Sequence, residues 1–172
     1  MAIAIASKTH SAARTFKTSI DIPEKQRAGL IALLNARLAD TIDLKTQTKH
    51  AHWNVKGPEF QQLHELFDQI ATGLEAHSDM IAERITALGG TAQGTARQVA
   101  SATSLAEYDL DAVAGTDHVR ALVSRLARLA AEVRAAIDAS DRLGDKSTAD
   151  LFTEVSRAAD KNLWFLEAHL QG

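Results

Sequence analysis

Residues 50–90 read HAHWNVKGPEFQQLHELFDQIATGLEAHSDMIAERITALGG, and this stretch decides the fold. Gly57-Pro58 divides it, because the residue before a proline is driven out of the α region. After the break, Phe60, Leu63, Phe67, Ile70, Leu74, Ile81, Ile85 and Leu88 recur at helical spacing until Gly89-Gly90 ends the run. Before it, Leu30, Leu34, Leu38 and Ile42 carry the same period through to about Val55. That first helix starts near Asp21 and Pro23, since a proline in the first turn gives up no hydrogen bond. Downstream, residues 91–115 form a long small-residue connection with a short helix expected over 96–101. A third long helix is expected over 117–143, ending at Gly144. Ser147 followed by Asp150 resembles a capping box that opens a fourth helix to about Leu170. The expected fold is all-α, a four-helix bundle with a long middle connection.

Composition agrees with that reading. The chain has 172 residues, 45% of them hydrophobic and 24% charged, which suits one domain with a real core. Only two prolines and nine glycines interrupt a helix-forming composition, and a single tyrosine argues against a β-sandwich or barrel. The absence of cysteine excludes disulfides, thiolate metal sites and a Cys nucleophile. No nucleophile elbow, P-loop or dinucleotide fingerprint occurs.

Charge is unevenly distributed. Residues 1–20 carry Lys8, Arg14 and Lys17 without any acid, so they are +3 in a chain of −3, and the rest is −6. The domain organisation expected is a flexible basic arm over 1–20 and a bundle over 21–172. No apolar run approaches the ~20 residues of a membrane span, and the opening MAIAIAS is too short for a signal peptide. A cytoplasmic protein with no membrane partner is expected.

The chemistry lies on the second helix. At 100° per residue, its apolar side chains cluster about 60–120° to one side of His64. On the other side, Glu75 falls at about 20°, Asp68 at 40°, Asp79 at 60° and Glu83 at 100°. One imidazole and four carboxylates thus make a stripe beside the core stripe. An ordinary solvated acidic face gives the same pattern, since i, i+4 pairs are common on helices. Spacing separates the readings. His64 and Asp68 lie about 6 Å apart along the axis and could share a metal ion, as could Asp79 and Glu83. Asp68 and Asp79, however, are about 16 Å apart, too far for one ligand set. Two copies packed antiparallel about a two-fold axis would join the half-sites and complete two equivalent centres. Imidazole and carboxylate without thiolate suit iron or manganese better than structural zinc.

His52 falls within about 40° of core-facing Leu38. A lone histidine there reads as a hydrogen-bonded structural residue, but beside His64 and Asp68 it becomes a candidate ligand. His50 points elsewhere. Trp53 and Trp164 read first as packing residues, and His77, His118 and His169 as surface or interface residues. The Glu-x-x-His motifs of di-iron bundles are absent, which disfavours a centre inside one bundle.

Residues 50–90 resemble the Dps proteins, the mini-ferritins, in their His-Trp-Asn-Val segment, His-x-x-x-Asp, and Asp-x-x-x-Glu-Arg before Gly-Gly. DKSTADLFTEVSRAADKNLWFLEAHL, near the C-terminus, resembles that family's last helix, so the likeness spans residues 22–170. The resemblance implies a ferritin-like fold and a homododecameric shell storing iron. It implies ferroxidase centres between two-fold-related subunits, with His52, His64 and Asp68 from one and Asp79 and Glu83 from the other. It places Trp53 beside the centre as a redox participant, with iron as the metal and hydrogen peroxide or oxygen as oxidant. Some members bind DNA through a Lys-rich arm. Here only Lys8, Arg14 and Lys17 are present, and twelve arms would multiply their weak phosphate contacts. The competing reading is a structural DNA-compacting nucleoid protein with little catalysis.

Overall fold

The structure, a computed structural model, describes residues 14–171. It contains α1 (Glu24–Asn54), α2 (Phe60–Ala87), α3 (Ala96–Ala102), α4 (Gly115–Arg142) and α5 (Lys146–Ala168), with no strand among the described residues. The all-α bundle with a short helix in its middle connection is what the periodicity predicts. Short loops make α1 and α2 one antiparallel hairpin and α4 and α5 another. The two hairpins close over a core that includes Leu34, Leu63, Phe67, Ile81, Leu126 and Phe152, each essentially inaccessible to solvent. Burying one such side chain is worth about 1.5–3 kcal/mol.

The connection between α2 and α4 is tied to α1 by polar side chains. Asn35 accepts the Gln93 N–H at 2.9 Å, Asp40 accepts the Ser104 N–H at 2.7 Å, and Gln47 donates to the Ala106 carbonyl at 3.1 Å. Asp40 is wholly buried yet paired with Arg37 at 2.8 Å, so its charge is balanced. These polar positions interrupt the apolar face of α1 because they bind backbone that has no regular ladder of its own.

Two expectations are corrected at helix ends. The α5 cap is Asp145, which is buried and accepts the Thr148 N–H at 3.2 Å, and Ser147 lies inside the helix. Asp145 also receives Arg84 from α2 at 2.7 Å, which moves the cap two residues upstream. His118, expected at the surface, is fully buried at the first turn of α4.

In the segment expected to be an arm, residues 14–20 lack helix, yet they are hydrogen-bonded to the body. Phe16 N–H donates to the Gly89 carbonyl at 2.8 Å, and the Thr91 hydroxyl donates to the Arg14 carbonyl at 2.7 Å. Gly89 has φ +85°, and a Cβ there would lie 2.4 Å from the Phe16 carbonyl oxygen. Only glycine meets both conditions. Arg14 and Lys17 are exposed, and Lys8 lies outside the described residues.

Candidate metal centre

The turn between α1 and α2 sets two histidines face to face. Val55 closes α1, and Gly57 takes φ +114° before Pro58, so the chain reverses within a few residues. His52 and His64 then stack with ring centroids 3.7 Å apart and planes 21° apart. His52 Nδ1 lies 2.7 Å from the His64 carbonyl oxygen, and His64 Nδ1 lies 2.8 Å from that of His52. A carbonyl can only accept, so both rings carry the proton on Nδ1. Each Nε2 is therefore the nitrogen left to bind a metal, and backbone carbonyls are the outer partners that ligating histidines ordinarily have.

Asp68 lies one turn beyond His64, with about half its side chain accessible. Lys49 reaches it from α1 at 2.6 Å, and this ammonium holds the carboxyl below its usual range. Trp53 and Lys49 line an open groove of about 1040 Å³ between α1 and α2, which also takes in Asp68, Glu75 and Asp79. Glu75, the fifth polar residue of the stripe, pairs with Lys45. Further along α2, Asp79 and Glu83 are exposed on the same side. Arg84, next to Glu83, fixes this end of α2 through Asp145 and through Thr148, whose hydroxyl accepts at 3.0 Å.

The structure thus brings His52, His64 and Asp68 together and leaves Asp79 and Glu83 apart on the same helix. Among the described residues of one chain, no three His, Asp or Glu side chains converge to hold an ion. Trp53 is 65% exposed and Trp164 is 64% exposed, so neither packs in the core as the sequence suggested. His50 has company after all. Its ring stands edge-on against Tyr108 at 5.1 Å. Sequence reasoning missed two things here, the reciprocal latch of His52 and His64 and the ammonium on Asp68. Lys49, one turn before Trp53, was the available signal.

A helical bundle with a paired-histidine and carboxylate half-site on its open face belongs among the ferritin-like proteins. The ferritin-like domain matches residues 31–172. The chain is 49% identical over 158 residues to the DNA protection during starvation protein of Agrobacterium fabrum, covering 92% of this chain and 98% of that one. DpsA14 from Streptomyces coelicolor superposes with TM-score 0.88 at 33% identity, covering 94% of this chain and 96% of that one. Dps from Mycobacterium smegmatis superposes with TM-score 0.87 at 28% identity, over 92% and 95% of the two chains. The chain belongs to the Dps family of ferritin-like proteins.

Proposed function

We propose that the protein is a ferroxidase that oxidises Fe(II), with hydrogen peroxide or oxygen as oxidant, and stores the ferric product in a homododecameric shell. The observation that carries this reading is the His52–His64 latch, which leaves two Nε2 atoms free beside the Asp68 carboxylate. A structural histidine pair in a core has no need of a charged carboxylate one turn away on an open groove.

Iron is the substrate. His52, His64 and Asp68 of one subunit would bind it together with Asp79 and Glu83 of a two-fold neighbour. Two Fe(II) ions then supply the two electrons that reduce peroxide to two waters, with two protons taken up. Placing both electrons within one centre avoids the one-electron reduction that releases hydroxyl radical. The exposed Trp53 rim would be covered when the two grooves meet. No helix among the described residues is long and apolar enough to cross a membrane, in keeping with the proposed cytoplasmic location.

The Agrobacterium relative is named for protecting DNA. That name and the exposed Arg14 and Lys17 support non-specific DNA binding, with Lys8 as a third cation. A purely structural DNA-compacting role fits less well, because it assigns nothing to the histidine latch.

Native mass together with ferric yield after adding Fe(II) and peroxide tests the proposal. A twelve-subunit particle that accumulates ferric iron supports it. A monomer that leaves Fe(II) oxidation at the buffer rate overturns it.

A further inference from the structure

We infer that Tyr108, hydrogen-bonded to His118, is a buried one-electron donor that quenches oxidant escaping the iron centre, an inference that rests on the ferroxidase reading. Tyr108 is the only tyrosine in the chain. It sits in the connection before α4, and its hydroxyl lies 2.7 Å from His118 Nδ1. His118 is fully buried, and its Nε2 has no hydrogen-bond partner among the described residues. Burial lowers the imidazole below its ordinary range and raises the phenol above its own. The phenol therefore holds its proton while the imidazole is neutral, the two states a proton transfer between them requires.

The pair packs against both helices that carry the candidate ligands. His50, two residues before His52, presents its ring to Tyr108 at 5.1 Å. Phe67, next to Asp68, presents its ring to His118 at 6.5 Å. No other side chain of the connection reaches back to both α1 and α2 with an oxidisable ring.

The step balances as follows. When a single Fe(II) meets peroxide, one electron passes and ferric iron, hydroxide and hydroxyl radical form. The radical takes an electron from Tyr108 and a proton from water-borne acid and becomes water. The Tyr108 O–H bond breaks, and its proton moves to His118 Nδ1. A neutral tyrosyl radical then faces an imidazolium. A second Fe(II) returns the electron and His118 returns the proton, which restores the pair and completes the two-electron reduction. The Arg125 guanidinium over the Tyr108 ring, at 5.6 Å, makes an acceptor necessary. It would penalise a positively charged ring, so oxidation must release the phenol proton, and His118 is the base in place.

Freeze-quench EPR of the full-length protein, mixed with Fe(II) and peroxide, reads the radical while absorbance reads ferric iron. Wild type should give a tyrosyl signal with an exchangeable proton coupling that disappears in D2O. Tyr108→Phe should still oxidise iron and lose the signal. His118→Gln, checked by circular dichroism, should lose the coupling and shorten the radical's life. Ferric iron forming in wild type without a tyrosyl signal overturns the inference and leaves the ferroxidase reading standing. If no ferric iron forms, that reading fails, and photo-oxidised tris(bipyridine)ruthenium(III) without iron decides the pair alone. A tyrosyl radical with the exchangeable coupling then upholds it, and none overturns it.

Discussion

Lys49 Nζ lies 2.6 Å from Asp68 Oδ1, so the carboxylate assigned to iron is already engaged by an ammonium of its own subunit. Fe(II) must displace that contact. Both partners are accessible to solvent, so the pair contributes no more than about 1 kcal/mol. Lys49→Met should tighten Fe(II) binding by up to about fivefold, which is what that energy corresponds to. Isothermal titration under anaerobic conditions checks it. Weaker binding in the variant would mean that Lys49 orients Asp68 for the metal.

Asp79 and Glu83 stand exposed on α2, outside the core stripe. Their joint replacement by alanine should change unfolding free energy by less than about 0.5 kcal/mol per site, the usual range for surface positions. Iron oxidation should slow by more than the about 10–100-fold that follows loss of an outer-shell partner. Stopped-flow absorbance after Fe(II) and peroxide addition gives the rate.

Asp145 is pushed up by burial, but its hydrogen bonds from Arg84 and Thr148 outweigh burial and leave its carboxyl below the ordinary value. A depressed carboxylate stabilises the fold above its unfolded value of 3.8 and loses that contribution as pH falls through the lower folded value. Asp145→Ala strands Arg84 and removes the α5 cap, and should cost about 3 kcal/mol at neutral pH. Denaturant unfolding should show the gap between variant and wild type shrinking below pH 3.8. A gap unchanged in acid would contradict the assigned pair.

The stem at Phe16 and Gly89 divides the basic segment. Gly89→Ala should cost about 1–2 kcal/mol, because it forces a side chain into φ +85° against the Phe16 carbonyl. Removing residues 1–13 should leave the melting temperature unchanged, whereas removing 1–20 should lower it, since the Arg14 and Phe16 hydrogen bonds go with it. Gel shifts at low salt should disappear with the longer deletion, because phosphate contacts dominate non-specific affinity. Equal shifts by all forms would place the DNA contacts on the body.

Most of the bundle was legible because long amphipathic helices announce themselves by period, and Gly57-Pro58 and Gly89-Gly90 punctuate them. The half-site spacing was legible because it follows from helical rise alone. The Asp145 cap was not, since its selection depends on Arg84 arriving from a helix sixty-one residues away in sequence. His118 was misplaced because its neighbour Asp117 suggests a wet helix start. Its position four residues before Leu122 puts it beside the core stripe, and that signal outranks the polar neighbour. The His52–His64 latch needs the loop geometry, which no periodicity contains.

The central claim is that each centre draws His52, His64 and Asp68 from one subunit and Asp79 and Glu83 from another. Mixed particles of a chain lacking the first three side chains with a chain lacking the last two test it most directly. A two-fold pair of the two chains holds one complete centre and one empty one, so mixed particles should oxidise iron well above either parent. Mixed particles as inactive as both parents would contradict the shared centre.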